Sequence, residues 1–178
     1  MSRVSVVLDA DVIIHFAKGG YLNILPEIFK EFDYVVLDKV YNELNKDLKG
    51  QLDKQMYFLK NIKLIDFNPS GEIMYEYFRL LETKGDGESA CLAYCRFTNN
   101  VIGSSNLKDT SEYCKKHRIT YLATIDFLYY AIKRGFMTIT EAENFISEVV
   151  KKGSLTVYKR YSNYLLTCYY RPPGLSRE

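Results

Sequence analysis

Five times along this chain a short apolar run of strand length gives way to residues at helical spacing. The runs are Val4–Leu8, Tyr34–Asp38, Lys63–Phe67, Asn100–Gly103 and Ile119–Ala123. This alternation leaves few folds open. Parallel neighbours need a crossover long enough to hold a helix, and such crossovers are right-handed, so helices come to cover the faces of the sheet. The pattern predicts an α/β protein of three layers, α/β/α, around a mainly parallel sheet of four to five strands. With 178 residues there is enough chain for one well-buried core. Residues 1–153 read as that domain, and 154–178 as a Tyr-rich C-terminal extension.

Between the runs, helices are predicted over Asp11–Lys18 (stopped by Gly19-Gly20), Leu22–Phe29, Leu52–Leu59, Glu72–Glu82, Ser89–Cys95, Leu107–His117 and Asp126–Arg134. A last helix is expected over Thr140–Lys151, with Thr140 as cap and Glu143 completing a capping box. The polar stretch Asn45–Gln51 reads as a loop. Ile73, Met74, Tyr77, Phe78 and Leu81 have the spacing of a core stripe.

The first run carries the chemistry. Directly behind Val6-Val7-Leu8 come two carboxylates, Asp9 and Asp11. Taken alone they are best read as helix caps, which Asp provides well and which far outnumber metal sites. Other acids shift that balance. Glu43 lies about one turn behind the second run, and Glu88 stands at the start of the helix before the fourth. Ser104, Ser105 and Asn106 follow the fourth run, with Asp109 about a turn later. Right-handed crossovers bring the C-terminal ends of parallel strands to one edge, where open α/β sheets bind ligands. Several oxygen ligands without His or Cys suit a hard cation such as Mg²⁺ or Mn²⁺.

Composition narrows the classes. A net charge of +2 is too small to demand a nucleic-acid partner and does not forbid one. No apolar stretch is long enough to span a bilayer, and Met1-Ser2-Arg3 runs straight into a strand, so neither a membrane nor a signal peptide is expected. Cys91, Cys95, Cys114 and Cys168 form no CxxC pair and read as buried thiols of a reducing, cytoplasmic compartment. His15 and His117 read as ordinary structural residues. Lys18, Lys39, Lys46, Lys84 and Lys108 are expected near the acidic edge. Tyr158, Tyr161, Tyr164, Tyr169 and Tyr170, interleaved with Lys159, Arg160 and Arg171, suit either base stacking or packing, and Leu165-Leu166 among them favours packing or a protein contact.

The runs Val6–Ile14, Val36–Leu44, Gly87–Ala93 and Ile119–Leu128, with Ala131–Gly135 behind the last, resemble in order and spacing the PIN domain family. The resemblance covers about residues 4–153. It implies a small α/β/α nuclease whose acids hold divalent metal and cut RNA, often as the toxin half of a toxin–antitoxin pair, with an antitoxin protein as partner and a homodimer as the assembly. It implies Asp9, Glu43 and Glu88 as catalytic residues and metal ligands. Asp11 is then a supporting or capping group. Asn106 falls where the family usually has Asp, so it brings an amide oxygen without charge, and Asp109 is the residue placed to compensate. The competing reading is a PIN-fold protein with impaired chemistry that serves as a protein- or RNA-binding module. A 5′-nuclease-like enzyme acting on DNA shares the acidic edge but calls for a longer chain.

Overall fold

The computed structural model describes residues 3–154, with the side chains of 107–109 outside that description. The Tyr-rich stretch and Cys168 therefore lie outside the described residues. Within them the sheet has five strands: β1 (Ser5–Leu8), β2 (Asp33–Leu37), β3 (Lys63–Ile65), β4 (Val101–Gly103) and β5 (Tyr121–Leu122). Every pairing is parallel, in the order β3-β2-β1-β4-β5. Val6, Val7 and Leu8 of the central strand are fully buried, as a continuous apolar run on a two-sided sheet requires.

The helices are α1 (Ala10–Gly19), α2 (Leu25–Ile28), α3 (Asp38–Glu43), α4 (Lys46–Asp53), α5 (Gly71–Leu81), α6 (Asp86–Thr98), α7 (Leu107–His117), α8 (Thr124–Lys133) and α9 (Ile139–Lys151), with a π-turn over Lys54–Phe58 behind α4. On one face α1 packs against α8 and α9. On the other α6 packs against α5 and α7. The sheet thus lies between two helical layers. The chain winds outward from β1 through β2 to β3, then crosses back to β4 on the other side of β1. The switch between β1 and β4 opens a crevice at their C-terminal ends.

Gly20 closes α1 in the left-handed conformation, with its N–H bonded to the Ala17 carbonyl, as the Gly-Gly signal predicts. Gly19 is needed for a different reason. A Cβ there would come within 2.2 Å of the Phe145 ring on α9. That ring is buried and also packs on Phe16, centroid to centroid at 5.1 Å. Gly19→Ala is expected to cost about 2 kcal/mol through overpacking, measurable as a lowered urea midpoint with an unchanged slope.

Four expectations need correction. Asn45–Gln51 is not a loop but most of α4: the Asn45 side chain accepts the Leu48 N–H at 3.0 Å, and Leu48 and Leu52 give the polar run an apolar edge. The Leu22–Phe29 helix shrinks to Leu25–Ile28, with Pro26 in its first turn and a backbone turn from Tyr21 to Ile24 before it. The capping box of α9 is Thr138 with Glu141, not Thr140 with Glu143. The same Thr-x-x-Glu grammar occurs twice, two residues apart, and the upstream copy starts the helix.

The stripe on α5 is also rotated. Tyr77 and Leu80 are buried, Ile73 and Leu81 pack at the margin of the core, and Met74 and Phe78 stand in solvent at 36% and 58% exposure. The inward position is taken by a carboxylate, Glu76. It accepts from Arg79 at 2.6 Å and from Tyr113 of α7 at 2.5 Å, and pairs with Arg96 of α6 at 2.7 Å. These donors hold its carboxyl well below the usual range, near 2, despite burial. One buried acid therefore ties α5, α6 and α7 into a single layer.

Candidate active site

β1 ends at Leu8, and the chain turns directly into α1. Asp9 is the cap: its Oδ1 accepts the Ala10 N–H at 2.8 Å, while its own N–H donates to the Gly103 carbonyl of β4. The cap reading thus holds for Asp9, with Asp11 in the first helical turn. Capping uses only one oxygen. Asp9 Oδ2 accepts the Ser104 hydroxyl at 3.0 Å, and Ser104 also reaches Asp11 Oδ2 at 3.4 Å. Asp11 Oδ2 further accepts the Ser105 N–H at 2.7 Å. The loop behind β4 therefore grips both aspartates, with Ser104 between them.

The electrostatics of this pair are unfavourable without a cation. Burial, then the Asp11 charge, and to a smaller degree Glu88, push Asp9 up to about 8 against the opposing hydrogen bonds. Burial raises Asp11 to about 6. Asp11 Oδ1 is buried and accepts no hydrogen bond. A buried carboxylate oxygen without a donor is costly.

Glu88 arrives from the opposite layer, in the first turn of α6. Its carboxylate lies 3.1 Å from Lys84 Nζ, accepts the Asn106 amide at 3.3 Å on both oxygens, and accepts Thr110 at 3.4 Å. Glu43, at the end of α3, is exposed and accepts the Gly87 N–H at 2.7 Å. Gly87 leaves room for this, since a Cβ there would sit 2.9 Å from Glu43 Oε2.

Asp9, Asp11, Glu88 and Asn106 are thus linked around the β1/β4 crevice, and Glu43 joins them at one remove through the start of α6. Among the described residues, no three acidic, His or Cys side chains close on one point as a finished ligand set. The donor chemistry nevertheless fits a hard divalent cation: carboxylate and amide oxygens, surplus negative charge, and one buried oxygen without a donor. Asp109 lies in α7, with its side chain outside the described residues.

Asp38 shows the limit of reading strand ends by pattern. It follows β2 as Asp9 follows β1, yet its carboxylate accepts the Phe67 N–H at 3.0 Å and secures the exit of β3. The expected lysines also divide. Lys84 is in the site. Lys39 stands 3.9 Å from Asp86, and Lys46 opens α4. Lys18 lies at the far end of α1, bonded to the Lys152 carbonyl at 2.8 Å, and so is away from the acidic edge. Lys108 belongs to the residues whose side chains are not described.

Sequence reasoning read Asp11 as a supporting or capping group, and the structure sets it beside Asp9 on Ser104 and Ser105. Its signal was its spacing: two residues behind a capping Asp, a first-turn side chain turns back toward the strand ends. A buried polar chain behind the site carried no such signal. His15 Nδ1 lies 2.9 Å from Thr124 Oγ1, which lies 2.7 Å from Ser105 Oγ; burial holds His15 down near 4 and therefore neutral. Cys91, Cys95 and Cys114 are buried free thiols, and burial raises all three.

No helix among the described residues is long and apolar enough to cross a membrane. No curated protein matches the chain. A solved structure, VapBC2 from Rickettsia felis bound to a DNA fragment from their promoter, resembles it at 17% identity and a TM-score of 0.49, covering 67% of this chain and 98% of that one. A family model described as a PIN domain matches residues 5–167, nearly the whole length. The chain belongs to the PIN domain family.

Proposed function

We propose that this protein is a divalent-metal-dependent ribonuclease, the toxin half of a toxin–antitoxin pair whose other half is a protein antitoxin. The observation that carries the nuclease reading is the Asp9–Asp11 pair. A buried carboxylate and a half-buried one share one serine, both are raised, and one buried oxygen is left without a donor. Such a pair is poorly stable by itself and well suited to a cation. The toxin role and the antitoxin partner follow from the family resemblance.

Asp9 and Asp11 would hold the metal from α1, and Glu88 from α6, with the Asn106 amide beside them. A bound Mg²⁺ or Mn²⁺ supplies Lewis acidity toward a phosphodiester oxygen and an attacking water. The chain's own groups do the placing. Ser104 fixes the rotamers of both aspartates, the Ser105 N–H orients Asp11, and Glu43 stands at the mouth, where it can orient a water. Lys39, at the start of α3, and Lys46, at the start of α4, would offer phosphate contacts, which dominate affinity for nucleic acid.

The test is cleavage of RNA in Mg²⁺ or Mn²⁺ by wild type and by Asp9→Asn. Cleavage by the wild type alone supports the reading; absence in both, or survival in the variant, overturns it. The second reading, a PIN-fold binding module, is favoured by Asn106, which donates to Glu88 instead of adding a charge. RNA or protein bound but never cleaved would select it.

A further inference from the structure

Lys84 is in an unusual place. It directly precedes Gly85, the cap of α6, and so puts a positive charge at the positive end of a helix dipole, where cations are disfavoured. Its side chain is only 11% exposed, although lysines mostly reach into solvent. What holds it there is Glu88, 3.1 Å away and itself only 17% exposed. The ammonium thus already supplies Glu88 with the charge compensation that a divalent cation would otherwise bring. Asn106 and Thr110 take up much of the remaining acceptor capacity of that carboxylate.

We infer that Lys84 is an internal counter-cation that competes with divalent metal for Glu88. This rests on the metal-dependent reading above. In the metal-free protein Lys84 keeps Glu88 compensated, leaving Asp9 and Asp11 as the uncompensated half of the site. A divalent cation is drawn first to the aspartates and recruits Glu88 only by displacing the ammonium. The four-carbon stem allows that displacement without movement of α6, because it can lie along the surface while the head group turns toward solvent or a substrate phosphate.

Mn²⁺ binding to the full chain, followed by electron paramagnetic resonance of the free ion, tests this. Lys84→Met keeps the apolar stem and removes the charge, and is expected to tighten Mn²⁺ binding on the order of tenfold, the scale of one close charge pair in a half-buried setting. Lys84→Arg should leave the affinity near wild type. In a Glu88→Gln background, Lys84→Met should change nothing, which separates competition at Glu88 from a general charge effect. Wild-type binding that Lys84→Met leaves unchanged or weakens overturns the inference while the metal reading stands. Absence of Mn²⁺ binding in wild type and Lys84→Met alike overturns both. A thermal melt of each variant establishes that it is folded.

Discussion

Asp9→Asn is expected to abolish RNA cleavage and, in the same protein freed of metal, to raise stability. The loss should be on the order of 100-fold or more, because the amide removes a charged ligand from the most buried position of the site. The gain has a separate cause. Asn caps a helix as well as Asp, so the Ala10 N–H keeps its acceptor, while the buried charge beside Asp11 is gone. The gain should grow as pH rises toward 8 and lift the thermal midpoint by roughly 5 °C or more for a chain of this size. A capping Asp9 with an ordinary carboxyl would show no such gain, because Asn caps equally well, so an unchanged melt would sink the reading of a raised, uncompensated pair.

The pH dependence follows with a defined sign. Asp9 is raised from 3.8 to about 8 on folding, so the folded state binds more protons across that window, and stability falls as pH rises through it. Asp11 does the same from 3.8 to about 6. His15 opposes them lower down: its folded value near 4 lies below its ordinary 6.5, so its contribution is gained as pH rises from 4 to 6.5. Above 6.5 it is neutral in both states. A decline in metal-free stability between pH 6.5 and 8 should therefore trace to Asp9. It should vanish in Asp9→Asn and shrink when Mg²⁺ is added.

The second large effect is expected at Glu76. Glu76→Ala removes the acceptor shared by Arg79, Arg96 and Tyr113 and leaves those donors facing a small void, at a cost of about 3 kcal/mol. Glu76→Gln keeps the volume and one acceptor oxygen and should cost less. Because α6 presents Glu88 and Asn106 directly precedes α7, the loosening should reach the site. Metal affinity should fall in Glu76→Ala although no contact to the metal has been touched. Chemical denaturation beside a Mn²⁺ titration measures both. Unaltered affinity in a destabilised variant would show that the layer supports the fold without aligning the site.

What was legible in the sequence was whatever local chemistry marks. The five apolar runs, Gly20 behind α1 and Asp9 at a strand end all declare themselves within a few residues. Right-handed crossovers between parallel strands then drew Glu43 and Glu88 toward the same edge from far along the chain, and the family resemblance implied their roles. Less legible were features decided by partners elsewhere. Glu76 faces inward because Arg96 and Tyr113 meet it there, and the rotation that follows sends Met74 and Phe78 outward. Asp38 looked like Asp9 by pattern, but the N–H of Phe67 engages it. α4 was hidden because a polar helix with a single buried leucine has almost no periodic signal.

The place of β4 in the sheet has a consequence for how such a chain is made. Asp9, Asp11, Glu43 and Glu88 all precede it, yet β4 is the strand that seats beside β1 and brings Ser104 and Ser105 to the two aspartates. A ribosome that has released only the first hundred residues has therefore synthesised every one of these acids and aligned none of the first pair. Assembly of the acidic site thus waits on a late stretch of chain, and a fragment that stops short of β4 lacks the strand and the serines that hold the two aspartates together.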